Sequence, residues 1–181
     1  MNVLVTGADG FAGQWLCRAS LEAGHRVVGT HLGPDPIPGI LTPEEREAIE
    51  WRPLDLADDG SVAAVAGTGA EWVAHLAGFA SAGEAAREPG LAWVVNAAGT
   101  ARLAHHLSRV PSPPLLLAVS SAEVYGAGEP RPRGESDLVA PRSAYAASKR
   151  GAEIAAEEVA RRTGLRVIIA RPFPHTGPGQ T

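Results

Sequence analysis

Tyr145 and Lys149 lie four residues apart in the stretch Ser143-Ala144-Tyr145-Ala146-Ala147-Ser148-Lys149. The stretch reads as the start of a helix entered after Pro141, and this spacing puts both side chains on one helix face. A phenol beside an ammonium is a way to build an acid/base near neutral pH, because the cation favours the phenolate. Such pairs also occur on ordinary helix surfaces. Two further features give this one meaning. Gly7, Gly10 and Gly13 form a G-x-x-G-x-x-G turn near the N-terminus. Ser120 and Ser121 close an apolar run, where a hydroxyl could bond a substrate oxygen opposite Tyr145.

The glycine turn meets three physical demands of a nucleotide site. These are a tight turn, a close backbone approach to pyrophosphate, and a helix N-terminus aimed at the phosphates. It follows a strand and opens a helix, which favours nucleotide binding over an ordinary strand-to-helix turn. Where the second strand ends, Thr30, His31 and Leu32 offer no acid for a ribose and no Arg or Lys for a 2′-phosphate. The choice between NAD and NADP therefore stays open. His31 is a candidate contact to the ribose or phosphate, with a solvated loop histidine as the plain alternative. Asp55-Leu56 follows the third strand, where a carboxylate could meet an adenine amino group or simply cap a turn. Glu123 is a second acid/base candidate or a solvated loop acid. Tyr125 reads as packing. Asn96 is a poor helix former in mid-helix, which points to a structural bond to backbone.

The elements that must position these residues alternate. Apolar runs at 2–6, 26–30, 50–54, 71–75, 115–119 and 165–170 predict strands. Helical patterns span 11–23, a short segment opened by Pro43 with Thr42 as its cap, 58–66, 91–109 and the Tyr145 helix to about residue 163. Asn96 and Gly99 interrupt the fourth of these. Residues 31–42, 126–142 and 171–181 are Pro- and Gly-rich loops. Nearly continuous apolar strands separated by helices predict an α/β fold with a parallel sheet. Right-handed crossovers make it a doubly wound, Rossmann-type sheet. Ligands of such sheets sit at the carboxyl ends of the strands. Gly7, Gly78, Ser120, Ser121 and Pro172 all fall there.

With 181 residues, 45% hydrophobic and 20% charged, the chain suits one globular domain with a real core. A net charge of -4 without a basic block argues against nucleic acid. Cys17 is the only cysteine, which excludes an intrachain disulfide and a cysteine metal cluster. It reads as a small core residue, and no metal site is expected. No apolar run is long enough to span a membrane. The N-terminus enters a strand directly, and a cytoplasmic protein is the expectation.

Taken together, the chain resembles the extended short-chain dehydrogenase/reductase family of NAD-dependent nucleotide-sugar epimerases, dehydratases and reductases. The matching residues are Thr6 to Gly13, Asp55-Leu56, His75-Leu76-Ala77-Gly78, Asn96 with Gly99-Thr100, Ser120 to Gly126, Tyr145 to Lys149, and Arg171-Pro172-Phe173. They run in family order over essentially the whole chain. The resemblance implies that residues 1–181 form an NAD(P)-binding Rossmann domain. Gly7, Gly10, Phe11, Ala12, Gly13, His31, Asp55, Leu56, Leu76, Ala77, Gly78 and Pro172 would line NAD or NADP. Ser121 would be the catalytic hydroxyl, Tyr145 the acid/base, and Lys149 its partner and a ribose ligand. Glu123 would be an accessory acid. The implied chemistry is hydride transfer at a sugar carbon of a nucleotide sugar.

Glucose-type 4,6-dehydratases of that family carry an Asp-Glu pair where this chain has Ala122 and Glu123, which argues against that type. The ending Arg171 to Gln180 is similar to R-P-F-N-H-x-G-P-G-Q of the GDP-4-keto-6-deoxymannose reductase branch. Pro174 stands where that branch has Asn, so the amide for the substrate is not supplied here. Family members also continue past this point into a substrate lobe, which is expected to be missing from this chain. Cofactor binding without turnover and a non-sugar ketone reductase are the alternatives. A homodimer through the helices of this domain is the oligomer considered.

Overall fold

The computed structural model describes residues 1–128 and 131–180. Two residues of the loop expected at 126–142, and the last residue of the tail expected at 171–181, lie outside them. The six strands are β1 (Asn2–Thr6), β2 (Arg26–His31), β3 (Ile49–Pro53), β4 (Trp72–His75), β5 (Leu115–Val119) and β6 (Arg166–Ala170). They form one sheet in the order β3-β2-β1-β4-β5-β6, with every pair parallel. This is a Rossmann-type order, with its switch point between β1 and β4.

Alternation along β1 shows why both faces must be covered. Val3 and Val5 point to one side and pack with Cys17 of α1 (Phe11–Glu22), Val27, Leu41 and Ile49. Leu4 points to the other and joins Val28, Val73, Leu103, Leu107, Leu116 and Val159. That second layer is built from α3 (Asp59–Ala66), α6 (Gly99–Leu107) and α7 (Ala144–Thr163). Edge strand β6 is less covered, and Ile168 is half exposed.

The short helix α2 (Pro43–Glu47) begins as expected, with a capping box between Thr42 and Glu45. Two elements were not expected. They are α4 (Ala82–Arg87), capped by Ser81, and a 3₁₀ turn at Ala122–Tyr125. The long helix expected at 91–109 is α5 (Pro89–Ala92) running through a π-helical turn (Trp93–Ala98) into α6. The π turn contains Asn96, whose side chain is engaged outside the helix. Gly99 lets α6 lie against Leu56, since a Cβ there would sit 2.7 Å from the Leu56 Cβ.

Leu103 is fully buried at the centre of the larger core cluster. Leu103→Ala is expected to cost about 2–5 kcal/mol of stability, read by denaturant unfolding. A loss well under 1 kcal/mol would mean that the α3–α6–α7 layer does not pack as described.

Candidate active site

The glycine turn is shaped by three different constraints. Gly7 has φ +66°, and a Cβ there would meet Ala77 at 2.9 Å. At Gly13 a Cβ would overlap the Gly7 carbonyl, so the turn can lie on α1 only if this position is bare. Gly10 differs, because its Cβ would meet only the Gly7 oxygen, at 3.3 Å. The protein itself scarcely needs glycine there, whereas a group approaching the backbone from outside would. Gly10 is also the N-cap of α1, and no side chain caps this helix. Thr42, Asp58, Ser81 and Ser143 do cap α2, α3, α4 and α7. The first-turn N–H groups at Phe11, Ala12 and Gly13 therefore lack a capping side chain and suit a phosphate. The tail after β6 crosses this helix start, with His175 stacked on Phe11 at 5.8 Å and Trp15 Nε1 donating to the Pro178 carbonyl at 3.1 Å.

A buried chain of bonds ties the neighbouring strand ends together. Leu76 and Ala77 N–H both donate to Thr6 Oγ1, at 3.1 Å each. Thr6 Oγ1 then donates to His75 Nδ1 at 2.8 Å, because its acceptor sites are taken. At the far side Thr100 Oγ1 donates to the Asn96 carbonyl at 2.6 Å, so it accepts from His75 Nε2–H at 3.0 Å. Only the neutral Nε2–H tautomer satisfies this chain. Burial, with the nearby Lys149 charge adding to it, pushes His75 down to about 3, in agreement. Asn96 Oδ1 accepts from Phe79 N–H, and its amide donates to Ser148 Oγ, both at 2.9 Å. Gly78, at φ +144°, leaves room for that amide oxygen. Asn96 thus bonds backbone and pins the Leu76-Ala77-Gly78 segment to α7.

Ser143 caps α7 through the Ala146 N–H at 3.0 Å, which starts the helix at Ala144 and delivers Tyr145 one residue inside it. Tyr145 and Lys149 are both buried, and the Lys149 amine lies 6.0 Å from the centre of the Tyr145 ring. The Ser121 hydroxyl accepts from Glu123 N–H at 3.2 Å and keeps its own proton to donate. Burial pushes the Tyr145 phenol up from its ordinary value. The Ser121 hydroxyl opposes this shift and the Glu123 carboxylate adds to it. The Lys149 charge does not reverse it, contrary to the simple expectation from an adjacent cation. Burial lowers Lys149 itself to about 8. Its one hydrogen bond of good geometry goes to the Val119 carbonyl at 3.2 Å. A buried ammonium with donors to spare beside a phenol suits a polyol such as a ribose.

The outer candidates separate. Leu76 and Ala77 lie half-buried and Gly78 exposed at the end of β4. The Pro172 carbonyl accepts from Ala122 N–H at 2.9 Å, which sets it beside the Ser121 turn. Glu123 is exposed near Tyr145, with Ser143 Oγ 3.5 Å away. His31 is no solvated loop residue: it ends β2, is buried against Trp51, and bonds the Gly33 carbonyl at 2.9 Å. Asp55 is exposed and accepts from Ala57 N–H in a local turn. The Leu56 side chain is buried in the core.

One residue of this cluster, Glu153, was not singled out by the sequence motifs. Glu153 continues the Tyr145–Lys149 series by one more turn. It is 1% exposed and takes bidentate bonds from Arg171 at 2.8 Å each, plus one from Arg150 at 2.6 Å. Burial raises its pKa, but these guanidiniums win and hold it low. Arg171 also donates to the Tyr125 hydroxyl at 3.0 Å and lies over its ring, so Tyr125 packs rather than reacts. The i+4 repeat was the available signal for Glu153. Ser120 is buried beside Ser121. Lys149 is the only lysine in a chain whose other basic side chains, histidine aside, are arginines. Lysine is the cation whose charge a site can tune.

Comparison with known proteins agrees with this geometry. The model of the NAD dependent epimerase/dehydratase family matches residues 3–181. GDP-6-deoxy-D-mannose reductase of Pseudomonas aeruginosa is 33% identical over 99% of this chain and 54% of its own length. UDP-glucose 4-epimerase of Mycolicibacterium smegmatis is 32% identical over 85% of this chain and 50% of its own. The structure of RMD from Pseudomonas aeruginosa, complexed with NADPH, superposes with a TM-score of 0.77 at 31% identity, over 99% of this chain and 55% of that one. UDP-glucose 4-epimerase of Thermus thermophilus, complexed with NAD, superposes with a TM-score of 0.82 at 26% identity, over 94% and 54%. The chain spans about half the length of the curated relatives it matches. On the glycine turn, the strand-end residues and the family model together, this chain belongs to the NAD dependent epimerase/dehydratase family.

Proposed function

We propose that residues 1–181 are the NAD(P)-binding domain of a nucleotide-sugar reductase similar to GDP-4-keto-6-deoxymannose reductases. The uncapped start of α1, with bare Gly10, would hold the pyrophosphate. Lys149 would hold the nicotinamide ribose, with Leu76, Ala77, Gly78 and Pro172 around it. When bound, the nicotinamide supplies hydride to the sugar carbonyl carbon. The chain's own residues handle the oxygen: Ser121 polarises it and Tyr145 gives it a proton. Lys149 then steadies the phenolate until solvent returns the proton.

The observation that carries this reading is the grouping of Ser121, Tyr145 and Lys149 at the strand ends beside the uncapped start of α1. Burial pushes the phenol above its ordinary value, which favours its protonated form. The protonated form can donate to a carbonyl oxygen. The second reading, cofactor binding without turnover, is kept because the chain spans about half of its curated relatives. A homodimer is the oligomer we propose. Leu91, Trp93 and Val94 on the α5–π segment and Ile154 on α7 are 39–51% exposed and form an apolar helical face.

Calorimetric titration with NADH and NADPH is expected to give saturable binding to at least one of them. Absence of both would sink the reading. With GDP-4-keto-6-deoxymannose and reduced cofactor, Tyr145→Phe is expected to lower kcat about 10²–10⁴-fold. Equal rates in the two proteins would remove Tyr145 from the chemistry. Binding with no turnover in the unaltered chain would favour the second reading. Lys149 is charged below about 8 and neutral above it, so reductive turnover is expected to fall as pH rises through that value. Light scattering should show a dimer that Ile154→Glu converts to monomer. A monomeric parent chain would refute that face as an interface.

A further inference from the structure

Ser120 ends β5 and is 5% exposed. Its Oγ is the one fully buried side-chain polar atom among the described residues that lacks a hydrogen-bond partner. It lies near enough to the Glu153 carboxylate to help hold that group ionised, yet makes no bond of hydrogen-bond geometry with it. A buried hydroxyl left in this state is costly, and it calls for a partner that the protein atoms do not provide.

The hydroxyl lines a small cavity shared with Lys149, Glu153, His75, Asn96 and Thr100 and otherwise walled by alanines and Val119. The cavity has about 10 Å³ of room for the centre of a water molecule. That is close to the space one water needs, and a buried water needs two to four polar partners. Donors and acceptors can be counted. Both ring nitrogens of His75, the Thr100 hydroxyl and the Asn96 amide are engaged as described above. Glu153 already accepts from Arg150 and Arg171. The capacity left over is the Ser120 hydroxyl, the ammonium protons of Lys149 beyond the one on the Val119 carbonyl, one Asn96 amide proton and one acceptor site of Glu153.

We infer that one ordered water fills this cavity and bridges the Lys149 ammonium to Ser120 Oγ, making Ser120 a positioning residue for Lys149. Through the water, Ser120 gives the ammonium a second acceptor beside the Val119 carbonyl. The amine is thereby held charged and fixed in place. No other titratable group facing Lys149 does this directly. Tyr145 on α7 is neutral, and His75 from β4 is a neutral donor to Thr100. Glu153 on α7 is neutralised by Arg150 and by Arg171 after β6. Glu123, in the 3₁₀ turn, faces Tyr145 from the exposed side.

The inference rests on the role proposed for Lys149, but its test reads the cofactor-free chain. A failure of the cofactor reading would appear separately, as absent NADH and NADPH binding. Because Lys149 is the only lysine, lysine-labelled protein gives a single side-chain NMR resonance to titrate. Ser120→Ala is expected to lower the Lys149 midpoint by about 0.5–1 pH unit, since it removes a bond that favours the charged form. Ser120→Thr keeps the hydroxyl and is expected to restore the parent midpoint. A lowered melting temperature with an unchanged Lys149 midpoint in Ser120→Ala would show a merely structural role and overturn the inference. So would a Ser120→Thr midpoint shifted as far as that of Ser120→Ala. High-resolution diffraction from the parent chain decides the matter independently if Ser120→Ala does not fold. A water within bonding distance of both Lys149 Nζ and Ser120 Oγ supports the inference, and a dry cavity overturns it.

Discussion

Helix α7 has to carry three polar side chains into the interior at one-turn intervals: Tyr145, Lys149 and Glu153. The rest of the site follows from how differently these three are compensated. Desolvating an ion costs several kcal/mol unless partners replace the lost water. Glu153 is compensated by two guanidiniums, Arg150 and Arg171. Arg171 reaches it from the end of β6 and also bonds Tyr125, so one carboxylate joins α7, the last strand and the turn that carries Ser121. Lys149 is compensated only in part, by one carbonyl. The chain therefore invests its rigidity at one end of this face and leaves the other end hungry for acceptors.

The neutral histidine next to this face is the second constraint. His75 lies between Thr6 and Thr100, and the direction of every bond around it is forced by the two backbone N–H groups that Thr6 must accept. A charged imidazole would leave a donor facing a donor. His75 therefore adds no proton chemistry of its own, but it fixes the β1 and β4 ends against α6. The Leu76-Ala77-Gly78 segment inherits that rigidity. Asn96 secures it from the other side by widening its helix into a π turn, a local distortion of the kind often found at functional sites.

Much of this was legible in the sequence, and the parts that were not share one physical cause. Strands β1, β4 and β5 announce themselves as apolar runs, because parallel strands are buried on both faces. The glycine positions were visible for the same reason: backbone contacts leave a clear signature when a side chain cannot fit. Leu56 shows the limit: that its side chain joins the core is visible only once the helices are packed. His31 was ambiguous between loop and site until β2 was seen to extend through it. Glu153 takes its partners from Arg150 on α7 and from Arg171 just after β6, whereas the Ser120 hydroxyl finds none among the protein atoms. A pairing as distant as that of Glu153 with Arg171 leaves no periodicity to read.

The protonation of Tyr145 is tied to the same imbalance. An acid/base tyrosine whose phenol is stabilised mainly by a strong nearby cation would be poised as a base. In this site the cation is itself weakened by burial, and burial together with Glu123 pushes the phenol up. Both effects keep the proton on Tyr145. A polyol that met the spare donors of Lys149 would strengthen the ammonium, since hydrogen bonds to the charged form favour it. The phenol would then be eased toward release of its proton when the ligand is in place. Incomplete compensation of Lys149 thus couples ligand binding to the readiness of Tyr145, which ion pairing of the kind seen at Glu153 could not do.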